Sequence, residues 1–272
     1  MKPQPYKTLN SGVEMPLLGL GVFDMHHKEA EQAVEWALET GYRLIDTASM
    51  YENELQIGNA IRTSSVAREE IFLTTKVNDK DQGYASTLRA FDHSLELLQT
   101  DYVDLYLIHW PIKAARKETW KALEKIYESG KARAIGVANY LEPFLDELFT
   151  YSEIVPAINQ VEFSPFLYLE NLKSKCEKLG IVLQAYTPLV RGLKMNNNLL
   201  QSLAKKYEKT PAQIILRWSI QHGVSPIPKS SNLLRIKENF DIFDFEISAN
   251  DMKLLNMLNE DFRVVDNPME LL

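Results

Sequence analysis

The feature that most constrains this 272-residue chain is an alternation of two kinds of segment. Eight short runs of apolar and β-branched residues recur along it: Leu17 to Leu20, Leu44-Ile45, Ile71 to Leu73, Val103 to Ile108, Ala134 to Val137, Ile158 to Val161, Ile181 to Leu183 and Val224 to Ile227. Between them lie stretches of helical period. Ala30, Val34 and Ala37 share one face, as do Tyr84, Leu88, Phe91 and Leu95, and as do Trp120, Leu123 and Ile126, with charged residues opposite. Strands that are apolar on both faces and alternate with amphipathic helices require a parallel sheet covered by helices. Eight units at about 34 residues each match the βα repeat of a (β/α)8 TIM barrel better than an open doubly wound sheet. A single barrel domain over residues 1–272 is the corresponding expectation. Ahead of it, Lys7-Thr8-Leu9, the turn-forming Asn10-Ser11-Gly12 and Val13-Glu14-Met15 read as a short N-terminal β-hairpin. Ser49-x-x-Glu52 reads as a capping box, and Thr210-Pro211 as an N-cap followed by proline at the first helical position.

Composition removes several function classes. Lys and Arg total 30 against 37 Asp and Glu, a formal charge of −7, which argues against nucleic acid or an anionic membrane surface as the main partner. The single Cys176 can form neither an intrachain disulfide nor a cysteine zinc site, and so suits a reducing compartment. No apolar stretch approaches the roughly 18 residues that span a bilayer, and residues 1–15 hold no run like a signal peptide. The expectation is a soluble cytoplasmic protein without a metal site. No sustained heptad or apolar surface stripe asks for a partner, so a monomer is expected.

Barrel chemistry sits at the carboxyl ends of the strands, so the polar residues just after each run are the candidates. They are Asp46 with Tyr51 beyond it, Lys76, His109-Trp110, Asn139, Gln160 with Glu162, Tyr186, and Lys229-Ser230. Four of them make chemical sense together. A tyrosine hydroxyl has an ordinary pKa near 10 and is a slow acid alone; a neighbouring ammonium lowers it. A carboxylate would hold that ammonium charged, and a neutral histidine could orient a carbonyl oxygen. Asp46, Tyr51, Lys76 and His109 would thus suit protonation of a carbonyl oxygen while hydride reaches its carbon. Taken singly, each has a structural reading: a buried ion pair, a packed aromatic, a core histidine. His26, His27, His93 and His222 read as structural. Gly19-x-Gly21 is no dinucleotide fingerprint, because Asp24 stands where its third glycine belongs. Lys229-Ser230-Ser231-Asn232 with Arg235 is more informative, since it sets hydroxyl, amide and cationic groups at a helix N-terminus, where anions bind.

These residues carry a family resemblance. Gly41 to Ala48 with Tyr51, Asn53 and Glu54, Asp101 to Pro111, and Ala134 to Asn139 are similar to segments of the aldo-keto reductase superfamily. So are Asn159 to Glu162, Gln184 to Leu189, Ile227 to Arg235, and Glu238-Asn239. The closest look is to its prokaryotic branch of diketogluconate and small-aldehyde reductases. The resemblance implies NADPH-dependent reduction of aldehydes or ketones, with small or polar carbonyls, α-dicarbonyls and keto-sugars as substrates. It implies Tyr51 as general acid, Lys76 as its partner, Asp46 as the lysine's anchor and His109 as the carbonyl-orienting group. Tyr186 would stack on the nicotinamide, and Asn139 and Gln160 would hold its carboxamide. Lys229, Ser230 and Arg235, with Ser231 and Asn232, would take the 2′-phosphate, and Glu238 and Asn239 the adenine. Further cofactor contacts fall to Gly21, Val22, Thr187 and Leu189, and the substrate walls to Phe23, Asn78, His109 and Trp110.

Three positions depart from the family pattern. Ala138 stands where a serine is usual, which removes one hydrogen bond worth about 0.5–1.5 kcal/mol. Asn78 replaces a pocket-wall tryptophan and Ser164 a histidine. The alternative to a reductase is a nucleotide-sensing regulatory protein on the same barrel with little turnover. A metal-dependent hydrolase built on Asp46, Glu54 and His109 lacks the second strand-end histidine that such sites recruit.

Overall fold

The computed structural model describes residues 2–271. Two antiparallel strands open it, β1 (Tyr6–Thr8) and β2 (Glu14–Pro16), registered Tyr6 to Pro16 and Thr8 to Glu14, so the hairpin forms where the turn residues place it. Eight parallel strands follow: β3 (Leu20–Gly21), β4 (Leu44–Asp46), β5 (Phe72–Val77), β6 (Leu105–Ile108), β7 (Ile135–Ala138), β8 (Ile158–Glu162), β9 (Val182–Tyr186) and β10 (Ser225–Pro226). Each pairs with its sequence neighbours in the order β3 to β10. The sheet then closes on itself. The Gly21 amide donates to the Pro228 carbonyl and the Gly19 amide to that of Pro226, both at 3.1 Å, and Gly21 bridges Lys229 in parallel. A Cβ on Gly21 would stand 2.8 Å from the Ile227 carbonyl oxygen, so closure here needs glycine. The result is the expected (β/α)8 barrel.

Helices α1 (His27–Thr40), α2 (Glu54–Thr63), α3 (Tyr84–Leu98), α4 (Arg116–Glu128), α5 (Glu142–Leu148) and α6 (Glu170–Lys178) follow β3 to β8 in turn. Two helices, α7 (Asn198–Tyr207) and α8 (Pro211–Gln221), separate β9 from β10, and α9 (Leu233–Phe240) and α10 (Ala249–Asn256) end the fold. The uniform one-helix repeat is thus broken after β9 and again after β10, each of which is followed by two helices. The stripes Ala30, Val34, Ala37 and Trp120, Leu123, Ile126 are buried as their period requires. Tyr84 is not: it is the first residue of α3 and lies 42% exposed, beyond the end of its stripe.

Period-two alternation sorts the strands. Leu44, Phe72, Leu105, Leu107, Ile158, Val182 and Ile227 form an inner layer with Leu9, Val13 and Met15, so the hairpin plugs the amino end of the barrel. The next inward positions toward the carboxyl end are Asp46, Lys76, His109, Gln160, Glu162 and Tyr186. Hydrophobic packing at one end of the barrel therefore fixes the polar groups at the other.

Thr210 caps α8 with a full capping box, its hydroxyl accepting from the Gln213 amide and Gln213 returning to the Thr210 amide. The capping box expected at Ser49 does not form. Ser49 begins a single 3-10 turn ending at Tyr51, Glu52 has a left-handed φ of 54°, and α2 starts only at Glu54. The Ser49 hydroxyl instead donates to the Lys76 carbonyl at 2.9 Å.

Candidate active site

Lys76 is fully buried at the end of β5. Its Nζ donates to Asp46 Oδ1 at 2.6 Å, to the Thr47 carbonyl at 2.9 Å and toward the Tyr51 hydroxyl at 3.4 Å. Asp46 Oδ2 accepts from Gln160 Nε2 at 2.7 Å, and the same nitrogen donates to Gln184 Oε1. Each charged group in this row is satisfied, as burial demands. The Tyr51 ring meets Phe23 edge-on at 5.1 Å and His109 at 5.6 Å. All of Asp46, Tyr51 and His109 reach the main cavity, and Lys76 stands behind them.

The 3-10 turn that presents Tyr51 is held by Asn53 and Glu54, a positioning role that the sequence alone does not show. Asn53 is buried, accepts from the Thr47 hydroxyl, and donates to the carbonyls of Val22 and Met25, on either side of Phe23. Glu54 accepts from the hydroxyls of Thr75 and Ser94, fixing the start of α2 beside β5. Both sit in the signature stretch, yet apart from Thr47 their partners lie 21 to 40 residues away, where nothing local reveals them.

Electrostatics sharpens the roles. Burial raises the Tyr51 pKa; Lys76 works against that and Asp46 with it, so the net direction is upward. The lowering by Lys76 is present as expected but does not prevail, and the hydroxyl keeps its proton. Burial and the Lys76 ammonium push His109 well below its ordinary value, leaving a neutral imidazole. Its Nδ1 is buried without a partner among the described residues. Burial alone would lower Lys76, but Asp46 and Tyr51 outweigh it and hold the ammonium above its usual range. The site thus contains a protonated phenol, a fixed cation behind it and a neutral imidazole beside it, an arrangement suited to giving a proton to an oxygen.

The cavity measures about 1050 Å³ and extends from this tetrad across the barrel mouth. Gly21, Asn139, Gln160, Tyr186, Thr187, Leu189, Lys229, Ser230, Arg235, Glu238 and Asn239 all line it, as do Phe23 and Trp110. Val22, Ser231, Asn232 and Asn78 do not reach it. Val22 is buried in the core beside the loop it joins. Asn78 Oδ1 instead accepts from the Lys80 amide, capping a 3-10 turn. Asn232 caps α9, accepting from the amides of Leu234 and Arg235 at 3.0 and 3.1 Å. The helix N–H groups are therefore partly spent on the chain's own cap, while Lys229 and Arg235 are exposed and line the cavity. Met50, Arg191, Met195, Gln201 and Val265 also line the cavity without having been expected there. A cavity of this volume that is lined both by the cations Arg191, Lys229 and Arg235 and by a proton donor fits a dinucleotide phosphate.

A closed parallel barrel with its reactive groups gathered at the carboxyl ends defines the class, an α/β-barrel enzyme. Residues 18–260 match the model of the Aldo/keto reductase family. The chain is 53% identical over 265 residues to glyoxal reductase of Bacillus subtilis (strain 168), covering 97% of this chain and 96% of that one. It superposes with a TM-score of 0.94 on an aldo-keto reductase enzyme from a Medee basin deep-sea metagenome library, 44% identical, covering 96% and 97% of the two chains. A Bombyx mori aldo-keto reductase solved in complex with NADP gives a TM-score of 0.91 at 37% identity, covering 98% and 96%. The chain belongs to the aldo/keto reductase family, and it is an oxidoreductase that works with NADP(H).

Proposed function

We propose that this chain reduces small or polar aldehydes, ketones and α-dicarbonyls to alcohols, with Tyr51 as the proton donor. The observation that carries the reading is the buried row Asp46–Lys76–Tyr51, ending in a protonated hydroxyl that opens on the cavity beside neutral His109. Bound NADPH supplies hydride to the carbonyl carbon. His109 donates to the carbonyl oxygen and sets its angle, and Tyr51 delivers its proton to that oxygen. Lys76 then stabilises the phenolate until solvent returns a proton, and Asp46 keeps Lys76 charged. Phe23 and Trp110 supply apolar walls, and the relation to a glyoxal reductase favours a compact substrate.

The cofactor is held at both ends. Tyr186 offers a ring at the nicotinamide end; its hydroxyl donates to Asn139 Oδ1 at 2.7 Å while Asn139 Nδ2 donates to the His109 carbonyl. Lys229, Ser230 and Arg235 take the 2′-phosphate, with Glu238 and Asn239 toward the adenine. Glu238 is braced by the Thr210 hydroxyl at 2.6 Å. Arg235→Ala is expected to weaken NADPH about 30-fold, as loss of a charge-assisted contact, and to leave NADH within about twofold. Titration of intrinsic fluorescence with each nucleotide checks this; equal weakening of both would remove Arg235 from the phosphate site.

A kinetic panel of aldehydes, α-dicarbonyls and keto-sugars with NADPH and NADH tests the whole reading. Nucleotide binding without consumption of any carbonyl would favour the sensing alternative. The pH profile adds a second test. With His109 neutral and Tyr51 protonated, kcat/KM for reduction stays level from about pH 6 to 9 and falls only as Tyr51 ionises above that, while alcohol oxidation rises with pH. An inflection near the ordinary histidine value that vanishes in His109→Gln would contradict this. We further infer that residues 1–272 act as one domain and as a cytoplasmic monomer with no nucleic-acid partner; light scattering at the mass of one chain, 31.3 kDa, is the check on the monomer. Among the described residues no helix is long and apolar enough to cross a membrane.

A further inference from the structure

A second carboxylate is buried at the barrel mouth and takes no part in the tetrad. Glu162 ends β8 two residues beyond Gln160, on the same inward face, and is 1% exposed. Its Oε1 accepts from the Val264 amide at 2.7 Å and its Oε2 from the Val265 amide at 3.3 Å, groups 102 and 103 residues away in sequence. A buried carboxylate persists only where donors satisfy it, and irregular backbone beside a cavity likewise needs acceptors. Here each solves the other's problem.

The rest of the C-terminal segment is stitched to the same side of the mouth. The Phe166 carbonyl accepts from the amides of Glu260 and Phe262 at 3.2 and 3.0 Å. That carbonyl is presented by a turn in which the Ser164 hydroxyl accepts from the amides of Phe166 and Leu167, which gives the departure at Ser164 a structural role. Lys194, on the loop after β9, pairs with Glu260 at 2.6 Å and stands 4.2 Å from the Phe262 ring centroid. These contacts end at Phe262. Only Glu162 holds Val264 and Val265 by hydrogen bonds among the described residues, and Val265 is the member of the segment that reaches the cavity.

We propose that Glu162 is a positioning residue for carbonyl binding: by clamping Val264 and Val265 it holds the C-terminal segment in place as one wall of the substrate cavity. The kinetic half of this inference rests on the reductase reading above. The clamp itself does not.

Glu162→Gln keeps the size of the side chain but turns one acceptor into a donor facing an amide N–H. Trypsin cleavage after Arg263, followed by mass spectrometry on folded protein, is expected to accelerate about tenfold, the scale of one charge-assisted hydrogen bond. Cleavage within the barrel helices should stay unchanged. KM for a small aldehyde such as methylglyoxal should rise about fivefold with kcat within about twofold, because the wall moves and the tetrad does not. Val265→Ala, which trims the wall without touching the clamp, should give the same split of KM from kcat. Combining the two should add little, since they act on one element. Unchanged cleavage after Arg263 overturns the clamp. Faster cleavage with an unaltered KM, or fully additive effects on KM, overturns the positioning role. A wild-type chain that turns over no carbonyl fails the reductase reading and the carbonyl-binding half with it, while the proteolysis still decides the clamp.

Discussion

Tyr51→Phe is expected to lower kcat for carbonyl reduction by about 10³-fold while leaving NADPH affinity within about twofold, the range associated with loss of a general acid. The substitution is close to a pure test of the proton. Phenylalanine keeps the ring, so the edge-on contacts with Phe23 and His109 and the approach of Lys76 to the ring at 5.0 Å survive. What is lost is the hydroxyl 3.4 Å from Lys76 Nζ. Lys76 still has Asp46 and the Thr47 carbonyl, so its charge stays satisfied and the fold is not asked to tolerate an orphaned ion. Lys229 and Arg235, the proposed phosphate ligands, are untouched. Measured turnover within tenfold of wild type would mean that another group gives the proton. His109 would be the first candidate, although burial and Lys76 hold it neutral.

The parts of this molecule that were legible in the sequence are those set by local period. Alternating apolar runs determined the barrel, and the same period-two rule carried Asp46, Lys76, His109, Gln160 and Tyr186 to the inner face at its carboxyl end. Each stands two or four residues beyond an inner-layer residue such as Leu44, Phe72, Leu107, Ile158 or Val182. The turn residues of the hairpin and the cap at Thr210 were legible for the same reason, since their partners lie within a few residues.

What failed to show was decided by distant partners. The Ser49-x-x-Glu52 spacing is a sound local signal, but the Lys76 carbonyl, 27 residues on, takes the serine hydroxyl instead. The resemblance makes Asn78 a pocket wall, because it stands where relatives carry a tryptophan, whereas its side chain is spent on the next turn. Asn232 takes the amides of Leu234 and Arg235, helix N–H groups that the local sequence offers to an anion. Val265 and the Glu162 clamp leave no sequence pattern at all. Contacts across a hundred residues follow from barrel geometry, and no window of the chain contains both ends.

Lys76→Met is expected to cost about 3–5 kcal/mol of stability as well as most of the turnover, because it strands Asp46 as a buried, uncompensated charge. Asp46 is 2% exposed and would be left with Gln160 as its remaining partner. Burial already raises its carboxyl, with Lys76 the chief opposing influence, so removing Lys76 lets the pKa climb further. The sign of the pH dependence follows. A carboxyl whose folded pKa lies above its unfolded value binds the proton more tightly when folded, so stability is fully present below the unfolded pKa and is lost as pH rises through the folded one. The variant should therefore gain stability on acidification from about pH 8 to pH 5, where carboxylates held low by partners give the opposite trend. Adding Asp46→Asn to Lys76→Met removes the stranded charge while keeping an oxygen for Gln160. The double variant should recover most of the lost stability and almost none of the turnover, since the cation behind Tyr51 is still missing. Urea unfolding at several pH values, read beside steady-state rates, separates the two effects. If the double variant is no more stable than Lys76→Met, the cost lies in packing around the methionine, and Asp46 is not the charge that Lys76 compensates.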